Sequence, residues 1–296
     1  ELPVINHEDY FAKIGDDHKF PINKFGELAN YLLKKKIINH FHKPYSCSVK
    51  TLKGAHSQTY ISNIINKSLD QNGVKKIGFP LVDSVVKRSL VATGGTVLAS
   101  KLALEYRIAC NTAGGSHHAN FDGGAGYCVF NDVAVAANYL LNKGLVKKIL
   151  IVDLDVHQGN GNSDIFENKK NVFTFSMHSK SNYPAKKSKS DLDIELEDNT
   201  GDQKYIETLK DSIQLLNKQK FDFVFYIAGV DVHFNDRLGK LKLSDDGIKK
   251  REEIVIGNFF SKKIPICGVL GGGYNKNFDK LVELHSILHE TCAKYI

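Results

Sequence analysis

The chain has 296 residues, of which 42% are hydrophobic and 25% charged, with a formal net charge of +7 at neutral pH. That balance supports a sizeable buried core and argues against a disordered or low-complexity polypeptide. No run of about 18 apolar residues is present, so no membrane-spanning helix is expected. The positive charge comes partly from Lys34-Lys35-Lys36 and from Lys186, Lys187 and Lys189. Such runs are ordinarily solvated faces, and with no nucleic-acid motif beside them direct nucleic-acid binding is not expected. The five cysteines, Cys47, Cys110, Cys128, Cys267 and Cys292, are widely spaced and mostly set in apolar runs. They read as reduced thiols and point to a cytoplasmic protein, or a nuclear one in a eukaryote. The opening Glu1-Leu2-Pro3-Val4-Ile5 lacks a basic stretch followed by an apolar run, so no signal peptide is visible in it.

In chain order, the first hundred residues carry helical patterns at 25–36, 56–69 and 83–106. Gly94-Gly95 falls inside the last of these and marks a possible break. A strand-like run at 108–112 leads into a Gly-rich loop, and a helix is expected at 129–141. Four apolar runs then read as buried parallel strands, at 149–153 (ILIVD), 172–176, 223–228 (FVFYIA) and 264–270. Helices at 203–218, 245–260 and 278–293 complete the alternation. With no internal repeat and no linker, the pattern predicts one α/β domain over residues 1–296, in three layers with a central, mainly parallel sheet flanked by helices. In such sheets ligands bind beyond the carboxyl ends of the strands, so the polar residues that follow each apolar run should converge.

Four segments carry chemistry. Asp153-Leu154-Asp155-Val156-His157 follows one strand, and a period of two sets its carboxylates and imidazole on one side while the backbone stays extended. Alone, it reads more readily as an acidic strand-to-helix turn with a capping Asp than as a metal site. Ala228-Gly229-Val230-Asp231 adds a carboxylate beyond a second strand. Asp155, His157 and Asp231 would make a three-ligand oxygen and nitrogen metal site with a position open for water, and no Cys has the CxxC spacing of a thiolate site. Gly114-Gly115-Ser116-His117-His118 sets two imidazoles in a loop of small residues, where one could take a proton from water and hand it to a leaving amine. A polar surface loop, or extra metal ligands, are the plainer readings of that pair. Gly271-Gly272-Gly273-Tyr274 ends a Gly-rich loop with a phenol suited to an oxyanion, and without a following Lys-Ser/Thr it is no P-loop. Together the four predict metal-assisted hydrolysis of an acyl bond.

These motifs, written GGSHHA, GAGYCVFND, ILIVDLDVHQGNG, YIAGVD and LGGGYN, resemble those of the histone deacetylase superfamily, which includes acetylpolyamine amidohydrolases. The resemblance runs from about His18 to His289. HKFP at 18–21, Gln158-Gly159-Asn160 and NDRLGKLKLS at 235–244 are similar to the class IV branch. It implies the arginase/deacetylase-like fold and one zinc ion per chain on Asp155, His157 and Asp231, with zinc-bound water as the nucleophile. His118 would be general base and then acid, and His117 would orient or electrostatically assist. Asp153 would hold one imidazole and Asn160, often Asp in relatives, the other; Tyr274 would polarise the scissile carbonyl. Gly126 would accept a hydrogen bond from the substrate amide, and Tyr127, where the family more often has Phe, would line the tunnel. A potassium ion is implied at Asp153, Asp155, His157, Ser176 and Met177. The loop at 178–191, with its lysines and Tyr183-Pro184, is expected at the tunnel mouth.

The expected substrate is an acyl-lysine protein or peptide carrying an acetyl or longer acyl group, with acetylated polyamines as the alternative. An inactive acyl-lysine-binding protein would be favoured by loss of Tyr274 or of either His, and all three are present. A manganese ureohydrolase would need further Asp ligands, where the chain has Gln158-Gly159-Asn160.

Overall fold

A computed structural model describes residues 1–296. Its strands are β1 (Val4–Ile5), β2 (Ile108–Asn111), β3 (Ile149–Asp153), β4 (Val172–Ser179), β5 (Leu192–Leu196), β6 (Phe223–Ile227) and β7 (Ile266–Val269). Its helices are α1 (Lys24–Lys34), α2 (Val49–Leu52), α3 (Gln58–Ile65), α4 (Gln71–Ile77), α5 (Asp83–Tyr106), α6 (Asp132–Asn142), α7 (Asn160–Phe166), α8 (Asp202–Leu216), α9 (Asp245–Ser261) and α10 (Phe278–Ala293). No helix is long and apolar enough to cross a membrane.

The strands form one sheet in the order β1-β2-β7-β6-β3-β4-β5, and every pairing is parallel. Helices α5, α6 and α7 pack together over one face, and α1, α8, α9 and α10 over the other. The expected three-layer fold is therefore present. The apolar runs at β3 and β6 are buried at every position, as strands covered on both faces must be. The chain winds outward through β3, β4 and β5, then returns to lay β6 on the opposite side of β3. A switch of direction opens a crevice at the carboxyl ends, here between β3 and β6, where Asp153 pairs in register with Ile227 and with Ser176.

Several elements differ from the sequence reading. Strand β5 was not expected because it is a partly exposed edge, so its side chains show no apolar run. Strand β1 is two residues long, and α2, α4 and α7 span seven residues or fewer, too short for a clear period. The helix expected from residue 129 starts at Asp132, because the Asn131 side chain accepts from Ala134 N and caps it there. The last strand begins at Ile266, since Pro265 has no N–H to give the ladder.

Gly94-Gly95 does not break its helix: α5 runs unbroken from Asp83 to Tyr106. The glycines serve close approach. A Cβ on Gly94 would overlap the Tyr45 carbonyl, and one on Gly95 the Tyr10 hydroxyl. Gly94→Ala should raise intrinsic helix propensity by about 1 kcal/mol yet destabilise the protein by about 1–3 kcal/mol through overpacking. Urea unfolding measures the sum, and a stabilised variant would return Gly94 to the status of an ordinary helical glycine.

Candidate active site

The loop after β2 is held by the N-terminus of α6. Asp132 accepts from Gly115 N (3.1 Å) and Ser116 N (2.8 Å), and Thr96 Oγ1 donates to it at 2.6 Å. The Asn131 amide donates to Ala119 O (3.0 Å) and to Asn162 Oδ1 (2.8 Å). Pinned at both ends, the loop buries His117 and His118 with ring centroids 4.1 Å apart.

Each imidazole has a different partner. His117 Nδ1 donates to Asp153 Oδ2 at 2.6 Å, and His118 Nδ1 donates to Asn160 Oδ1 at 2.7 Å. Burial pulls His117 down, but the Asp153 and Asp155 carboxylates overcome it and raise its pKa to about 9. Burial, with the neighbouring His117 and His157, holds His118 well below the ordinary range. One ring is therefore a cation at neutral pH and the other a neutral base. Gly126 makes room for that base: its φ is +54°, and a Cβ there would come within 2.7 Å of His118 Cδ2.

Beside them, the ligand atoms of Asp155, His157 and Asp231 lie within 4.8 Å of one another, all buried. Both carboxylates are fixed by backbone from other segments: Gly272 N donates to Asp155 Oδ2 (2.6 Å), and Val156 N donates to Asp231 Oδ1 (3.0 Å). His157 Nδ1 is 3.0 Å from Asp155 Oδ1 and 3.1 Å from Asp231 Oδ2. Asp231 Oδ2 has no hydrogen-bond donor of its own although it is fully buried. Burial and Asp155 push the Asp231 carboxyl up to about 7. The cluster is short of positive charge, and the donor set suits a divalent ion of the zinc type. Gln158 turns away to Ser188 O and Asp193 rather than joining the group.

Tyr274 is buried, and burial together with Asp231 and Asp155 keeps its phenol pKa well above the ordinary value, so it stays a donor. Its backbone is gripped by the NDRLG segment. Asp236 Oδ2 accepts from Tyr274 N at 2.7 Å, and Arg237 Nε donates to Tyr274 O at 2.9 Å. His117, His118, Asp155, His157, Tyr127 and Tyr274 line one cavity of about 330 Å³, together with Gly126. Ser176, opposite Asp153, accepts from Gly159 N (3.3 Å), and Met177 is buried beside it. At the mouth Tyr183, 46% exposed, stands edge-on to His118 with centroids 4.9 Å apart. Of the loop at 178–191 only Tyr183 lines the cavity; Lys187 folds back onto Asn182 O and Pro184 O, and the lining lysines are Lys75 and Lys76.

Sequence reasoning missed the supporting residues. Arg251, fully buried on α9, donates to Leu154 O (3.2 Å) and Gly229 O (2.7 Å), the carbonyls just ahead of Asp155 and Val230, and pairs with Glu252 at 2.6 Å. A signal was present: Ile248, Arg251, Glu252, Val255, Ile256 and Phe259 share one buried helical stripe, so two charges occupy core positions. Asp132 and Asp236 lay inside motifs already singled out, but nothing local to them names the loops they hold.

A family model described as the histone deacetylase domain matches residues 18–287. An uncharacterized protein of Picosynechococcus is 42% identical over 291 residues, covering 97% of each chain. Histone deacetylase 2 of Arabidopsis thaliana is 28% identical over 92% of this chain and 73% of its own. A solved structure of an HDAC homolog complexed with SAHA superposes with a TM-score of 0.84 at 24% identity, over 99% of this chain and 84% of that one. At that identity the likeness speaks for the fold alone.

Arg251→Met should destabilise the protein by about 3–5 kcal/mol, because Glu252 is left as a buried charge without its partner. The double variant Arg251→Met/Glu252→Gln should recover much of that loss. Denaturant unfolding of the singles and the double gives the coupling; equal losses in both would assign the effect to packing alone.

Proposed function

This chain belongs to the histone deacetylase family, and we propose that it is a zinc-dependent hydrolase removing acetyl or longer acyl groups from lysine side chains of proteins or peptides. Deacetylase chemistry, the hydrolysis of an acetylated amide, comes with the family. The observation that carries the finer reading is that Asp155 and His157, grouped with the buried Asp231, open onto the same cavity as His118 and Tyr274.

Asp155, His157 and Asp231 would hold the zinc. When bound, zinc supplies Lewis acidity toward the amide carbonyl and eases deprotonation of water. With Nδ1–H committed to Asn160, His118 presents the lone pair of Nε2 and, being neutral, accepts the proton of the attacking water. It returns that proton to the amine nitrogen as the C–N bond breaks, giving a carboxylic acid and a free lysine. His117, kept cationic by Asp153, offsets the negative charge that develops on the acyl carbon's oxygens, toward which the Tyr274 hydroxyl donates. The Gly126 carbonyl would accept the substrate amide N–H, and the rings of Tyr127 and Tyr183 would flank the lysine methylenes. A potassium ion would sit on Asp153, Asp155, His157, Ser176 and Met177, a reading supported by the pairing of Asp153 with Ser176.

The lining also bears on substrate class. Apart from Asp155 it has no carboxylate, while Lys75, Lys76 and Arg88 are all cations. An acylated polyamine would bring extra positive charge to a wall with nothing to pair it. An acyl-lysine brings a neutral arm, and acidic residues around it would meet Lys75 and Lys76.

The reading is tested by turnover of zinc-loaded protein on a lysine peptide carrying acetyl, octanoyl or myristoyl groups, with acetylated polyamines alongside. Cleavage of an acyl-lysine is expected; one zinc per chain with no cleavage of any of them would sink it. Tyr274→Phe should keep its zinc and lose about 100-fold or more in kcat, and full activity would take the phenol out of the mechanism. Asp231→Ala should lose zinc and activity together, so unchanged zinc content would mean the ligand set is wrong.

A further inference from the structure

Arg88 is a buried cation that the proposed chemistry does not use. It sits on α5, is only 9% exposed, and lines the same cavity as Tyr274, Asp155 and His157. A guanidinium carries five N–H donors in a planar fork. Here Nε donates to Tyr10 O at 2.8 Å, and neither terminal nitrogen has a hydrogen-bond partner in the protein. Its other neighbours are rings: Phe25 at 4.6 Å, Phe20 at 5.6 Å and Phe79 at 6.0 Å from Cζ. Asp132, the carboxylate with most influence on it, spends its oxygens on Thr96, Gly115 and Ser116. Burial lowers the guanidinium to about 10, which leaves it charged at neutral pH.

A second buried cation faces the same two rings. Lys24, 1% exposed, has Nζ 5.4 Å from both Phe20 and Phe25 and donates only to Gly271 O, at 3.3 Å. Neither cation has a carboxylate partner, although charges this deeply buried are ordinarily paired. The Phe20 ring lies 6.3 Å from the Tyr274 ring and 5.6 Å from Arg88 Cζ, so one aromatic ring neighbours both Arg88 and the phenol of the expected reaction centre. The unused fork fits a planar anion with two oxygens.

We propose that Arg88, seconded by Lys24, is a carboxylate receptor in the acyl cavity, which suits this chain to acyl groups ending in a carboxylate, such as glutaryl. This rests on the reading of the cavity as the acyl site. The acyl chain passes Phe20, its terminal carboxylate takes the fork of Arg88, and the amide stays beside Tyr274. The same fork could instead hold the acid released by hydrolysis, which is the other source of this chemistry.

The test begins with binding, independent of turnover. Glutarate and its monoamide are titrated by calorimetry into zinc-loaded wild type, Arg88→Met and Arg88→Lys, each checked for an intact thermal transition. Both ligands can offer one carboxylate to the metal, and only glutarate keeps a second. Glutarate should bind at least tenfold more tightly in the wild type, with the difference abolished in Arg88→Met and partly kept in Arg88→Lys. Equal affinities in the wild type, or a difference that survives Arg88→Met, would overturn the receptor. Turnover of glutaryl-lysine against pentanoyl-lysine peptides then names the source. A glutaryl preference in kcat/KM that falls at least tenfold in Arg88→Met assigns the fork to the acyl group, and discrimination in binding without that preference assigns it to the released acid. If no peptide is cleaved while Arg88 still distinguishes the two ligands, the hydrolase reading fails and the receptor stands.

Discussion

Two buried carboxylates, Asp155 and Asp231, face each other across the crevice between β3 and β6, and much of the surrounding architecture answers that repulsion. Desolvated like charges are tolerated only where dipoles and cations are built around them. The backbone supplies part of the compensation, since Gly272 N and Val156 N each donate to one carboxylate. His157 sits between the pair, and Arg251 binds the carbonyls of Leu154 and Gly229 from beneath. Three strand ends and one helix are thereby tied into a unit whose unsatisfied oxygen, Asp231 Oδ2, calls for a cation.

The same economy separates the two histidines. Adjacent imidazoles of one loop would titrate alike if their surroundings matched. An ionised partner behind His117 and a neutral amide behind His118 drive their affinities for protons apart. Asn160 orients His118 through Nδ1 without adding a carboxylate's charge, so burial and the neighbouring His117 and His157 keep that ring neutral. Tyr274 completes the set from the opposite wall, with Asp236 and Arg237 gripping its backbone.

Beyond the reacting centre the cavity changes character. Phe20, Phe25 and Tyr127 line it, Phe79 packs against Phe20 and Tyr127 with centroid spacings in the group of 5.0–6.0 Å, and two cations are stacked against these rings instead of being paired with acids. Aromatic faces soften the burial of a positive charge without neutralising it. That residual field is a property of the site itself, distinct from the net charge of the surface, and the proposed carboxylate receptor rests on it.

Much of this was legible before any coordinates. Apolar runs ending in polar residues defined β3, β6 and the sheet class, because a strand covered on both faces admits few polar residues. The cavity-lining residues His117, His118, Asp155, His157 and Tyr274, with Asp231 buried beside them, all follow predicted strands or their loops, so motif and position pointed the same way. Local sequence did not disclose that Gly94-Gly95 permits close packing, since its partners Tyr45 and Tyr10 are distant in the chain. Nor did it disclose Asp132, Asp236, Arg251, Lys24 or Arg88 as parts of the site. Their contacts join segments up to 247 residues apart, as between Lys24 and Gly271. Periodicity and motif spacing are local quantities, and they determined the buried strands β2, β3, β4, β6 and β7, the fold class and the candidate reacting groups. Which buried charges are compensated, and which are left facing the cavity, depends on contacts between distant segments, and only the tertiary structure decided that.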